Sequence, residues 1–147
     1  MPKPGYKQGL PASCVFAGLA FSYQLLKGKE INEGVFLLKY LQTKDNQINV
    51  KAETKHGFEG NPQLISYIAE KSGFFSVQSN VTNIEKAIDD GLVVLSAIDM
   101  GDYYHDIVIV GYTDDGNCEY YIYYDTSDGN YKLIDRSDVT MYYIGLK

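Results

Sequence analysis

Cysteine is scarce in this chain, with only Cys14 and Cys118 in 147 residues. Two thiols allow one bridge at most, so a disulfide framework is excluded, and no CxxC or Cys/His cluster has the spacing of a structural zinc site. Basic residues are also few: thirteen Lys and Arg stand against nineteen Asp and Glu, for a net charge of -6 and a pI near 4.8. The basic residues are scattered rather than striped, which leaves a phosphate backbone nothing to bind and argues against a nucleic-acid partner. Long apolar runs are missing as well. Residues 92–98, broken by Ser96, are far too short to cross a bilayer, and MPKPGYKQG has no apolar signal core. The chain reads as soluble, without a signal peptide or membrane partner, either cytoplasmic or exported within a larger protein.

What remains is the length and patterning of one domain over residues 1–147, large enough to bury about two-thirds of its unfolded surface without a cofactor or metal to hold it together. CVFAGLAFSYQLL, residues 14–26, has helical length, Ser13 as a plausible N-cap and Gly28 as a stop. Its first half is apolar on every face, so this helix is expected to be buried all round. A second helix is expected over residues 31–41. The polar segment 43–60, which contains His56, reads as a long connection. Asn61-Pro62 starts a third helix that ends near Gly73, and residues 74–78 suggest a short strand. Thr82 and Glu85 have capping-box spacing for a fourth, short helix before Gly91.

From Leu92 the character changes. LVVLSAI, HDIVIVGY, CEYYIYYD, YKLID and TMYYIGL are β-branched or aromatic runs separated by DMGDYY, TDDGN, TSDGN and RSDV. They predict an antiparallel meander, and helices first with strands later predict an α+β domain with the helices against one face of the sheet. Fourteen tyrosines, many of them in this half, fit strand propensity and half-buried packing.

The chemistry-bearing residues are few. Cys14 opens a buried helix, where the positive end of the helix dipole favours thiolate over thiol. Gln8, six residues earlier, lies in a loop made bendable by Gly9 and constrained by Pro11. Its side-chain amide can return beside Cys14 and donate to a developing oxyanion, an interaction worth roughly 3 kcal/mol in a transition state. A cysteine nucleophile needs an imidazole and a third group to orient it. His56 sits in a polar loop, whereas His105 begins the most apolar strand, where the backbone fixes the ring. If Asp114-Asp115-Gly116 is a three-residue hairpin loop, Thr113 faces Asn117 and His105 faces Asp125, on one side of the sheet. Asp106 points to the other face, and Asp128 reads as a turn carboxylate. Tyr103 and Tyr104, just before His105, are candidate substrate contacts. Cys118 reads as structural or incidental.

The order Gln8, Cys14, His105, Asp125 resembles that of papain-like cysteine peptidases, and within them the bacterial bacteriocin-leader (double-glycine) peptidase branch and its stand-alone relatives. The resemblance implies a papain-like fold, with the central helix from Cys14 packed on a C-terminal antiparallel sheet. It also implies a cysteine peptidase or amidase: Gln8 for the oxyanion, Cys14 as nucleophile, His105 as base and Asp125 to orient it. This chain departs from the family with Val15 where Gly often follows the cysteine, and Thr126 where Pro often follows the aspartate. No transporter segments follow, so a place in a bacteriocin exporter is not expected. The expected partner is a peptide or protein substrate met by a monomer, with no cofactor or metal. Acyl transfer to an amine uses the same residues as hydrolysis. Two other readings are a bacterial toxin or effector domain of this fold, with a cognate inhibitor or immunity protein, and a catalytically silent binding module.

Overall fold

A computed structural model describes residues 14–43, 62–74, 76–100, 104–114, 119–139 and 143–147. The described helices are α1 (Cys14–Lys27), α2 (Glu33–Thr43), α3 (Pro62–Lys71) and α4 (Ile84–Asp89). The strands are β1 (Val77–Gln78), β2 (Val93–Asp99), β3 (Tyr104–Asp114), β4 (Glu119–Asp125), β5 (Asn130–Asp135) and β6 (Ile144–Leu146), with a 3-10 turn at Arg136–Asp138. They form one six-stranded sheet in the order β1-β6-β2-β3-β4-β5, every pairing antiparallel. The architecture is α+β.

The all-apolar start of α1 is buried as its composition requires: Phe16, Ala17, Leu19, Ala20 and Phe21 are all sealed from solvent. Gly18 lets the helix backbone close on the sheet, because a Cβ there would come within 3.0 Å of Leu95 Cδ1 and 3.4 Å of Val108 Cγ2. Phe21 stacks on Tyr124 with ring centroids 3.8 Å apart, and Tyr131 meets both rings edge-on. Such ring pairs add about 0.5–1.5 kcal/mol beyond their area burial. The helix stops at Gly28, whose positive φ of 68° and N–H bond to Gln24 C=O at 2.9 Å close the last turn.

The sheet separates two apolar clusters. On the α1 face, Val93, Leu95, Val108, Tyr124, Ile144 and Leu146 pack with α1 and with residues of α2 and α3. On the other face, Val94, Ile107, Ile109, Tyr121 and Tyr123 pack under Ile84 and Ala87 of α4. The expectation that all helices lie on one face is therefore corrected. β2 and the centre of β3 are apolar at consecutive positions because both of their sides are covered. Arg136 holds α4 to the sheet: it bonds Glu85 at 2.9 Å and Thr113 C=O at 2.6 Å, and its guanidinium lies 5.3 and 5.4 Å from the Tyr112 and Tyr121 ring centroids.

Three further expectations are corrected. The meander covers β2 to β5 only; β6 returns to the far side of β2 and admits β1 beyond it. Ile144 and Leu146 have no exposed surface, so their strand needs neighbours on both sides and covered faces. The strand expected at 74–78 is confined to Val77–Gln78. The cap of α4 is Asn83 rather than Thr82, its side-chain oxygen accepting from the Lys86 N–H at 3.0 Å.

Candidate active site

His105 and Asp125 are in direct contact. Nε2 of the ring lies 2.8 Å from Asp125 Oδ1, and both side chains are largely withdrawn from water, at 13% and 7% exposure. His105 is fixed near the start of β3, level with Ile98 on β2. Asp125 ends β4, where a four-residue turn, 126–129, leads into β5. Gly129 closes that turn with a φ of 75° and a 2.8 Å N–H bond to Asp125 C=O.

The register that brings the pair together differs from the expected one. The hairpin pairs Asp114 with Glu119, not Thr113 with Asn117, so the loop is longer than three residues. Continued unbroken, that register would set Asp125 level with Val108, on the face away from His105. A bulge between Ile109 and Gly111 shifts the pairing by one, giving Ile109 with Tyr123 and Val108 with Tyr124. The next position sets Asp125 level with Ile107, on the face of His105 and diagonal to it, a spacing that long side chains bridge. The expected contact is thus present, but diagonal rather than directly opposed.

Four donors converge on the Asp125 carboxylate. Oδ1 accepts from the His105 ring, from the Ser127 N–H at 2.9 Å and from Ser127 Oγ at 2.6 Å; Oδ2 accepts from Lys132 Nζ at 2.9 Å. Burial disfavours its charge, but the hydrogen bonds from the Ser127 hydroxyl, Lys132, the Ser127 N–H and His105 together outweigh this and hold the carboxyl well below the usual carboxylate range. An ionised carboxylate only accepts, so Nε2 carries the proton that it shares with Oδ1. Nδ1 is then the nitrogen left to face a reacting group. Lys132 also bonds Asp128 Oδ2 at 2.7 Å, and those two carboxylates, Asp128 first, push its ammonium above the usual lysine range.

The rival acids are placed elsewhere. Asp106 is buried on the α1 face by strand alternation, and Asp128 serves Lys132 rather than the ring. Thr126 is buried, with its hydroxyl unpartnered among the described residues. Sequence reasoning did not find Lys132 or Ser127. Ser127 had a signal in the Asp-x-Ser spacing of an Asx turn, whereas Lys132 becomes visible only once β5 is registered so that Lys132 faces Tyr123.

Cys14 is the first residue of α1, and its helix runs along the sheet. Gly18 passes over Val108, while Tyr23, farther on, packs edge-on against Phe74 at 5.6 Å, just before β1. β1 is level, through β6 and β2, with the middle of β3 around Ile109, and Ser76, on the Phe74 side of β1 and paired with Lys147, is level with positions after that. The start of α1 is therefore directed toward the end of the sheet that carries His105 and Asp125. From Gly18 back to Cys14 is about 6 Å of helix, and from Val108 back to His105 about 10 Å of strand. The ring leaves the sheet on the α4 face and α1 lies on the other, so the two share an end of the sheet but not a face.

Compared with protein-family models and with curated protein sequences, the chain matches none. Gln8, Tyr103, His56 and Cys118 lie outside the described residues, as do the side chains of Cys14 and Tyr104. Among the described residues no group of three or more His, Cys, Asp or Glu is placed to hold a metal ion, and no helix is long and apolar enough to cross a membrane.

Proposed function

We propose that this chain is a cysteine peptidase-like amide hydrolase of papain-like architecture, with Cys14 as nucleophile, His105 as general base and acid, and Asp125 as the group that orients the ring. The observation that carries the reading is the sequestered His105–Asp125 pair at the end of the sheet toward which the helix begun by Cys14 points. An imidazole largely withdrawn from water, with one nitrogen committed to a carboxylate, has a fixed tautomer and turns its second nitrogen to a reacting group, which is the arrangement that activates a thiol.

In this reading the Cys14 thiolate attacks the substrate carbonyl and its paired proton rests on His105. Gln8 and a backbone N–H at the helix start stabilise the oxyanion, and His105 gives its proton to the leaving amine. Water, activated by the same ring, then attacks the thioester and releases the acid, which regenerates the thiol. An amine in place of water would make the same site an acyltransferase. The substrate class is a peptide or protein amide.

The test is alkylation of Cys14 by iodoacetamide at graded pH, followed at peptide level by mass spectrometry so that Cys118 is counted separately. The wild type is expected to react at pH values where an ordinary thiol, with a pKa near 8.5, is largely protonated. His105→Ala is expected to return Cys14 to ordinary thiol behaviour. Identical profiles for the two proteins would leave the His105–Asp125 pair a structural ion pair and refute the enzymatic reading.

A further inference from the structure

The Asp125 carboxylate has two oxygens with different partners. Oδ1 takes the ring and both Ser127 donors; Oδ2 takes Lys132, which is anchored a second time by Asp128. Lys132 reaches this position because it faces Tyr123 on β4, so its side chain lies on the same side of the sheet as Asp125. No feature of the fold requires an ammonium here, since β5 is an edge strand whose residues can reach water. Two donors on opposite oxygens of one carboxylate lie roughly 5 Å apart. At that distance a fixed positive charge opposes a second one on the ring.

We propose that Lys132 is a positioning residue of the site: it fixes the carboxylate with Oδ1 toward the imidazole, and its charge limits how firmly that carboxylate retains a proton on the ring. This deepens the peptidase reading, on which its catalytic meaning rests. An Asp125 left alone with His105 would stabilise the imidazolium strongly, and a strongly stabilised imidazolium is a poor acid toward the leaving amine. Lys132 shares the carboxylate's charge and keeps the proton transferable. On the ring's face of the sheet the described titratable and charged groups are Asp125, Tyr123 and Tyr121 from β4, Asp128 from the turn, Lys132 from β5, Tyr112 from β3, Tyr143 before β6, Glu85 from α4 and Arg136, and of these Asp125 bonds the ring while Lys132 bonds Asp125. On β2 the level position is the apolar Ile98. Cys14 completes the set from α1 in the proposed mechanism.

The experiment is a pH titration of the His105 ring by NMR in full-length protein carrying His56→Ala, which leaves one histidine to observe. Lys132→Met removes the charge, Lys132→Gln removes it while keeping a donor, and Lys132→Arg retains it. The unscreened interaction at an effective dielectric near 20 is halved to allow for the partial exposure of Lys132, which leaves an upward shift of the ring's midpoint by about one pH unit in the Met and Gln variants. Lys132→Arg is expected to stay within a few tenths of a unit of the parent. A midpoint that is unchanged or lower in a folded charge-removing variant, or an Arg variant that behaves like Met, overturns the proposal. If either neutral variant fails to fold, the other supplies the comparison. The outcome is separate from that of the peptidase reading: Cys14 alkylation indifferent to His105→Ala defeats that reading, while the ring titration still judges Lys132.

Discussion

Replacing Asp125 by alanine removes the acceptor of four donors at once, and the structure allows the cost to be apportioned. Lys132 is more than a third exposed and keeps Asp128, so its share is small. Ser127 is exposed, and its donors turn to water. His105 is only 13% exposed and loses its charge-assisted partner outright, a loss of about 1.5–3 kcal/mol. With the slackened turn added, Asp125→Ala is expected to cost about 3 kcal/mol, the low end of what breaking a buried pair costs. The carboxyl is held below its unfolded value, so its stabilisation is complete above the unfolded pKa of about 3.9 and declines as pH falls below it. Near pH 3 the unfolded chain is taking up this proton while the folded chain is not, and the wild-type advantage shrinks by about 1.2 kcal/mol from its value at pH 5. Carboxylates away from the pair contribute equally to both proteins and cancel, and Asp128, which shares Lys132, is exposed and changes the difference little. The assay is urea unfolding of both proteins at pH 5 and pH 3, with near-ultraviolet circular dichroism to confirm native packing. A cost under about 1 kcal/mol, or a gap that stays constant between the two pH values, would refute the assignment of Asp125 as an ionised, hydrogen-bonded anchor.

Two further outcomes follow from packing away from the pair. Arg136→Met is expected to destabilise the chain by about 2 kcal/mol, because it removes the bonds to Glu85 and Thr113 and the contacts with two tyrosine rings; a shift in urea midpoint reports it, and a neutral result would show that the apolar contacts of α4 and the Tyr112 hydroxyl's bonds to Asp89 hold it without Arg136. Thr126→Val is expected to be neutral or stabilising by up to about 1 kcal/mol, since it exchanges a buried hydroxyl without a partner among the described residues for a methyl of the same shape; thermal melting checks it, and a loss above that size would mean that the hydroxyl is satisfied in solution.

Much of the fold was legible because the strongest local signals agree with the tertiary structure. The all-apolar stretch from Val15 to Phe21 marked a buried helix, Gly28 marked its stop through the positive φ that only glycine adopts at little cost, and TSDGN marked the turn between β4 and β5. The register of β3 was not legible, and the reason lies in HDIVIVGY itself. Its residues are apolar on both sides, so no alternation distinguishes one face from the other and a one-residue slip leaves no trace in the pattern. Two departures then offset each other: the hairpin loop is longer than expected, and the bulge beside Gly111 restores the face on which Asp125 meets the ring. Gly111 inside a strand was the available sign of such a bulge. The second apolar face, with α4 upon it, was likewise implied by the run LVVLSAI, apolar at consecutive positions but for Ser96, which a sheet covered on one side only would not need.

The pairing of Cys14 with His105 is the central claim, and chemical bridging addresses it most directly. A three-carbon haloketone with two reactive ends, added at neutral pH, alkylates the more nucleophilic thiol first and then any nitrogen within its short span. Peptide mass spectrometry is expected to find Cys14 joined to His105 in the wild type, with the link lost in Cys14→Ala. Cys14 carrying the reagent with its second arm hydrolysed, and no linked His105 peptide, would contradict the account.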